Sequence, residues 1–193
     1  MPSKQRKIAM MGYRSVGKVT LLLSICYVIF YSLKQQELIT KYALMFLIFI
    51  LAFTKFIRLN STEYEVKLVD TAGQDEYSIF PLQYSMDFHG YVLVYSITSS
   101  KSFQIVQIIY DKLLDMVGKI HVPIVLVGNK TDLHLERKIS TEEGKRLAEK
   151  WKAAFVETSA KRNESVTDMF HAMLSEIERS DGHIQEKNGC IIS

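Results

Sequence analysis

The chain is poor in the residues that staple or punctuate a fold. Of 193 residues, two are cysteine (Cys26 and Cys190), three proline, one tryptophan and nine glycine. Two cysteines make no disulfide framework. The start, Met1 to Lys7, is polar and basic, with no long apolar leader, so a reducing, intracellular setting is expected. Charge of one sign is also scarce. The 24 basic and 21 acidic residues leave a net +3, too mild to draw nucleic acid by field alone, and no nucleic-acid partner is expected. Long hydrophobic runs are missing as well. Two uncharged apolar stretches, Val19 to Leu33 and Tyr42 to Phe53, fall short of the roughly 18 residues of a membrane span. They read as buried helices, with paired membrane insertion as the alternative. What is plentiful, 48% hydrophobic and 23% charged residues, suits one globular domain and excludes a largely disordered chain. We place the domain at 1–180 and a loose polar tail at 181–193.

Outside that segment the chain alternates short apolar runs with amphipathic stretches. Lys7 to Met11 reads as a buried strand before a glycine-bearing loop. Phe53 to Leu59 and Tyr64 to Val69 read as strands joined by the polar turn Asn60-Ser61-Thr62. Tyr91 to Tyr95 and Pro123 to Val127 are continuous apolar runs, the pattern of strands covered on both faces. Between them, Phe103, Val106, Ile109, Leu113 and Leu114 recur at helical spacing over Ser102 to Val117. Ser140-Thr141-Glu142-Glu143 looks like a helix start, running to about Trp151. Ala154 to Val156 reads as a last strand and Ser165 to Arg179 as a last amphipathic helix. Strands alternating with helices predict an α/β fold: a doubly wound, mostly parallel sheet with helices on both faces.

Four short motifs carry the chemistry. Gly12-Tyr13-Arg14-Ser15-Val16-Gly17-Lys18 is a phosphate loop, G-x-x-x-x-G-K. Its glycines let backbone N–H groups face a phosphate, and Lys18 reaches the β- and γ-phosphates. The next position normally carries a Mg²⁺-binding Ser or Thr. Here it is Val19, and the hydroxyl arrives one residue late at Thr20. Asp70-Thr71-Ala72-Gly73-Gln74 closes a strand. Asp70 there can hold Mg²⁺ through water, the Gly73 amide can meet a γ-phosphate, and Gln74 can orient an attacking water. In Asn129-Lys130-Thr131-Asp132, Asp132 can accept two hydrogen bonds from a guanine edge. Thr158-Ser159-Ala160-Lys161 can offer a backbone amide to the guanine oxygen. Each motif alone is weak, but all four fall in order at carboxyl ends of strands, where open α/β sheets bind ligands.

With those residues in place the sequence resembles the Ras-type small GTPases over residues 1–18 and 53–193. Within that family it is most like the branch with Arg14 where most members carry glycine, and with Asp70 to Pro81 and Leu113 to Lys119 as they stand here. The resemblance implies binding of GTP and GDP with Mg²⁺ and slow hydrolysis. It also implies exchange and GTPase-activating proteins as partners, and a growth-controlling kinase complex as effector. The ending Cys190-Ile191-Ile192-Ser193 is a C-a-a-X box, whose terminal Ser favours farnesyl. The implied location is the cytoplasmic face of membranes, reversibly anchored, and otherwise the cytosol, because one lipid without a polybasic patch binds only marginally.

The resemblance breaks at 19–52. The family's first switch needs a threonine that meets Mg²⁺ and the γ-phosphate. Its place falls near Ile48, within Phe46-Leu47-Ile48-Phe49-Ile50, and the nearest upstream threonine is Thr40. Leu, Ile, Phe, Tyr and Lys make up 21 of these 34 residues, the bias that A/T-rich codons give. We read the segment as intron translated in place of a coding exon, with a lineage-specific insertion as the alternative. Three functions follow: a GTP-hydrolysing switch, which the resemblance implies; a guanine-nucleotide module that does not switch, which the missing hydroxyls favour; and a membrane-associated interaction protein.

Overall fold

A computed structural model describes residues 3–22, 53–70, 75, 88–118 and 122–182. Six strands form one sheet in the order β2-β3-β1-β4-β5-β6: β1 (Lys4–Gly12), β2 (Phe53–Leu59), β3 (Thr62–Asp70), β4 (Gly90–Ser96), β5 (Ile124–Asn129) and β6 (Ala154–Thr158). All neighbours are parallel except β2 and β3, an antiparallel hairpin in which Leu59 pairs with Thr62. Asn60 turns that hairpin at φ +54°, a left-handed conformation that asparagine tolerates. The expected doubly wound, mostly parallel sheet is present.

Side chains alternate across the sheet and feed two cores. On one face Ile8, Met10, Val92, Val94, Val125 and Val127 pack against Leu21, Met169, Phe170 and Met173. On the other, Ala9, Met11, Leu93, Tyr95 and Leu126 pack against Ile105, Ile109, Leu113, Leu147 and Trp151. The second core is closed by α1 (Ser100–Val117) and α2 (Thr141–Trp151), the first by α3 (Val166–Ser180). Every residue of β4 and β5 is buried, which is why the runs Tyr91 to Tyr95 and Ile124 to Val127 are continuously apolar, the polar Ser96 and Asn129 coming only at the strand ends.

Element ends follow local chemistry. The Ser99 side chain accepts from the Ser102 amide, so α1 opens at Ser100, three residues before its first apolar signal, Phe103. It ends where Gly118 adopts φ +63°. At the start of α2, Ser140 and Glu143 form a reciprocal capping box: the Ser140 amide donates to Glu143 Oε2 at 2.8 Å and the Glu143 amide to Ser140 Oγ at 3.2 Å. Trp151, at the far end of α2, stacks on Tyr110 of α1 with ring centroids 4.0 Å apart and an interplanar angle of 5°. β1 begins at Lys4, earlier than its apolar run. Its polar start is held by Gln5, which donates to Glu65 at 2.9 Å, and by Lys4 and Arg6, which pair with the buried Glu178 of α3.

The topology brings Gly12, Asn129 and Thr158 to one edge of the sheet. Gly12 pairs with Val94, Ser96 with Asn129, and Asn129 with Thr158. Asp70, which pairs with Met10, ends β3 at the same edge.

Candidate functional site

β1 delivers Gly12 into a tight loop. A side chain at Gly12 would run into the Val94 carbonyl oxygen, and a Cβ at Gly17 (φ +92°) would lie 2.5 Å from Asn129 Nδ2. Both positions therefore exclude a side chain, and Ser15 between them adopts φ +62°. The chain turns helical at 18–22, with the Leu21 amide donating to the Gly17 carbonyl at 2.9 Å. Lys18 folds back over the loop. Its ammonium donates to the Gly12 carbonyl at 2.8 Å and to that of Tyr13 at 3.4 Å, and the residue is only 6% exposed. Burial pushes its pKa down, and the nearby Asp70 carboxylate offsets part of that shift. A buried cation held mainly by neutral carbonyls is well placed to meet an anion such as a phosphate.

The opposite end of the site is built around Asn129, which is 1% exposed. Its Nδ2 donates to the Val16 carbonyl in the phosphate loop at 2.9 Å. Its Oδ1 accepts from Thr158 Oγ1 at 3.1 Å and from the Ala160 amide at 3.2 Å. One side chain thus joins the phosphate loop to the β6 loop. Lys130 follows at φ +72° and turns the chain into a short 3-10 stretch, Thr131–Glu136. There Asp132 accepts from Ser159 Oγ at 2.7 Å. Ser159 Oγ in turn accepts from the Arg162 amide at 3.2 Å. The structure therefore brings Asn129, Asp132, Ser159 and Ala160 together with Val16, Gly17 and Lys18; Lys161 stands exposed beside them. A carboxylate fixed at one oxygen, beside backbone amides, matches the donor-and-acceptor edge of guanine.

The metal side is sparser. Asp70 ends β3 close enough for its charge to act on Lys18. Val19 is 57% exposed and offers no oxygen. Thr20 is exposed too, and two residues along a helix turn it about 200° away from Lys18. The structure does not bring its hydroxyl to that group. Among the described residues no cluster of three His, Cys, Asp or Glu could hold a metal alone. Mg²⁺ commonly uses one or two carboxylates, with waters and substrate phosphates completing its octahedron. Asp70 fits that role; the expected hydroxyl ligand does not.

Gly73, Gln74, Cys190 and the segment 23–52, including Thr40 and Ile48, lie outside the described residues. Three contacts went unread in the sequence. Arg14, exposed in the phosphate loop, pairs with Asp75 at 2.9 Å, one residue past Gln74. Thr158 supplies a hydroxyl to Asn129; it lies inside a motif already singled out. Arg137 and Glu157 form an ion pair behind the base side, and no local pattern announces it.

Comparison with known proteins agrees with this geometry. The sequence model of the Ras family matches residues 7–179. The chain is 60% identical to a GTP-binding protein Rheb homolog of Drosophila melanogaster over 193 residues, covering 100% of both chains. It is 51% identical to the human GTP-binding protein Rheb over 191 residues, covering 98% of each. It is 43% identical to the GTP-binding protein rhb1 of Schizosaccharomyces pombe, covering 100% of this chain and 99% of that one.

Proposed function

The chain belongs to the Ras family of small GTPases, and from that premise we propose that it works as a lipid-anchored GTP/GDP switch acting on a growth-controlling kinase complex. The family binds GTP and GDP, generally with Mg²⁺, and hydrolyses GTP; the chain is a Rheb-like member of it. The observation that carries the reading is the Asn129 side chain, which ties the phosphate loop at Val16 to the Ala160 amide and Thr158 hydroxyl of the base loop. That link lets one ligand with a guanine at one end and phosphates at the other be held at both.

In this reading Lys18 takes the β- and γ-phosphates, the loop from Gly12 to Gly17 wraps them, and Asp132 and Ala160 read the base. Mg²⁺, when bound, neutralises developing phosphate charge, and Asp70 is the residue that would hold it. Gln74 orients the attacking water and the Gly73 amide reports the γ-phosphate. Exchange and GTPase-activating proteins set the balance of the two states. Cys190 carries a farnesyl group that holds the protein reversibly at the cytoplasmic face of membranes.

The test is nucleotide content of the purified chain, followed by single-turnover GTP hydrolysis with and without Mg²⁺. Stoichiometric guanine nucleotide and Mg²⁺-dependent hydrolysis are expected; a chain that binds GTP but never hydrolyses it overturns the switch. Cell fractionation of Cys190→Ser tests the anchor: the variant is expected in the cytosol, and its retention on membranes overturns the lipid assignment.

A further inference from the structure

We propose that Arg137 and Glu157 are a positioning pair that locks the two base-reading loops into one geometry and thereby sets how selectively guanine is held. The proposal rests on the guanine-nucleotide reading above. Asp132 sits in the stretch Thr131–Glu136, and Arg137 follows that stretch directly. Ser159 and Ala160 sit just past β6, and Glu157 is that strand's penultimate residue. The pair therefore joins the two loops from behind the base site.

Its geometry is that of a fork on a carboxylate. Arg137 Nη1 donates to Glu157 Oε1 at 2.6 Å and Nη2 to Oε2 at 2.9 Å. Such bidentate pairs fix angle as well as distance. Arg137 Nη1 also donates to the Ile139 carbonyl at 3.1 Å, and Thr141 Oγ1 lies 3.2 Å from both Glu157 oxygens. The two side chains are 26% and 18% exposed, so solvent screens them less than a surface pair. The hydrogen bonds it donates to Glu157 hold the guanidinium's pKa up.

The floor beneath the pair leaves no slack. Glu157 pairs with Gly128 in the sheet. A Cβ at Gly128 would lie 3.3 Å from Glu157 Cγ and 2.9 Å from the Tyr95 hydroxyl. Tyr95 is fully buried, and its hydroxyl has no hydrogen-bond partner among the described residues.

The contact from Ser159 to Asp132 is one cross-link between the loops. The Asn129 bonds to Thr158 and Ala160 tie the same loops where they leave the sheet, and the Arg137–Glu157 fork ties them from the far end of the Asp132 stretch. Without the pair, the Asp132 carboxylate can rotate about its bond to Ser159 and lose alignment with the guanine edge.

The experiment compares release of GDP and IDP from the full chain. Hypoxanthine lacks the exocyclic amine that Asp132 would accept from, so IDP depends less on where that carboxylate points. Arg137→Ala is expected to speed GDP release about tenfold, the scale of one charge-assisted hydrogen bond, and IDP release much less. Arg137→Lys keeps the charge but not the fork and is expected to fall between; it carries the test if Arg137→Ala does not fold. Glu157→Gln added to Arg137→Ala is expected to add little. Unchanged GDP release from folded variants, or equal acceleration of GDP and IDP, overturns the proposal. A wild-type chain that holds no guanine nucleotide overturns the reading beneath it.

Discussion

At the base-facing end of the site Asn129, Thr158 and Ser159 are buried, and hydrogen bonds between side chains cross from one loop to the next. At the phosphate-facing end Lys18 is buried against two carbonyls, but Val19 and Thr20 beside it are exposed. The first region is preorganised by the fold, since its buried polar groups bond to one another across the loops. The second holds one cation that burial makes costly, and needs the ligand's charge to complete it. Base recognition should therefore tolerate changes near Val19, while phosphate and metal binding should not tolerate changes at Lys18.

The hardest way to break this contrast is to remove the cation. Lys18→Ala is expected to lower nucleotide affinity by about a hundredfold or more, the scale of two hydrogen bonds to charged groups, with guanine selectivity intact in what binding remains. Isothermal titration with GDP and with ADP reads both quantities. Asp132→Asn tests the other end. It exchanges a carboxylate for a carboxamide against the guanine edge and is expected to shift preference toward xanthine nucleotides by about ten- to a hundredfold; competition between GDP and XDP measures it. A variant still preferring GDP to the same degree would remove Asp132 from base reading.

Smaller changes sharpen the comparison. Val19→Ser restores a hydroxyl at an exposed position, so stability should move by no more than about 0.5 kcal/mol. Mg²⁺-dependent affinity should rise about threefold to tenfold, one added oxygen ligand's worth, seen as slower GDP release with Mg²⁺ than with a chelator. The smallest effect is a pH trend in nucleotide-free protein. The Lys18 pKa is below 10.5 in the folded state because of burial, so between the two values the unfolded chain binds more protons. Stability then rises with pH across that window. Thermal melts should show wild type gaining on Lys18→Met as pH rises from neutral toward 10.5, and added GDP should flatten the trend.

Much of the fold was legible because it is written locally. The unbroken runs of β4 and β5, the Ser140–Glu143 spacing of α2 and the Asn60 turn each follow from neighbours in sequence. The four motifs were legible because phosphate and guanine recognition need particular residue types at strand ends. What stayed hidden is long-range. That Asn129 reaches back 113 residues to Val16, or that Arg137 finds Glu157, is set by strand order, which no periodicity encodes. The polar start of β1 was missed because its order comes from Glu65 and Glu178 rather than from apolar burial. The match to the Ras family runs from 7 to 179 and so spans 23–52, where the sequence offers no threonine near Ile48 for a first switch.

The flat stack of Tyr110 on Trp151 has a practical side. Trp151 is the chain's one tryptophan, and it lies where α1 meets α2, away from the sheet edge that carries Gly12, Asn129 and Thr158. Its ultraviolet emission is thus a native optical gauge of whether those two helices are together. It should collapse on denaturation and stay silent when one nucleotide replaces another. Melting can be followed without any label, whereas exchange requires a dye on the nucleotide, chosen to absorb well away from tryptophan emission.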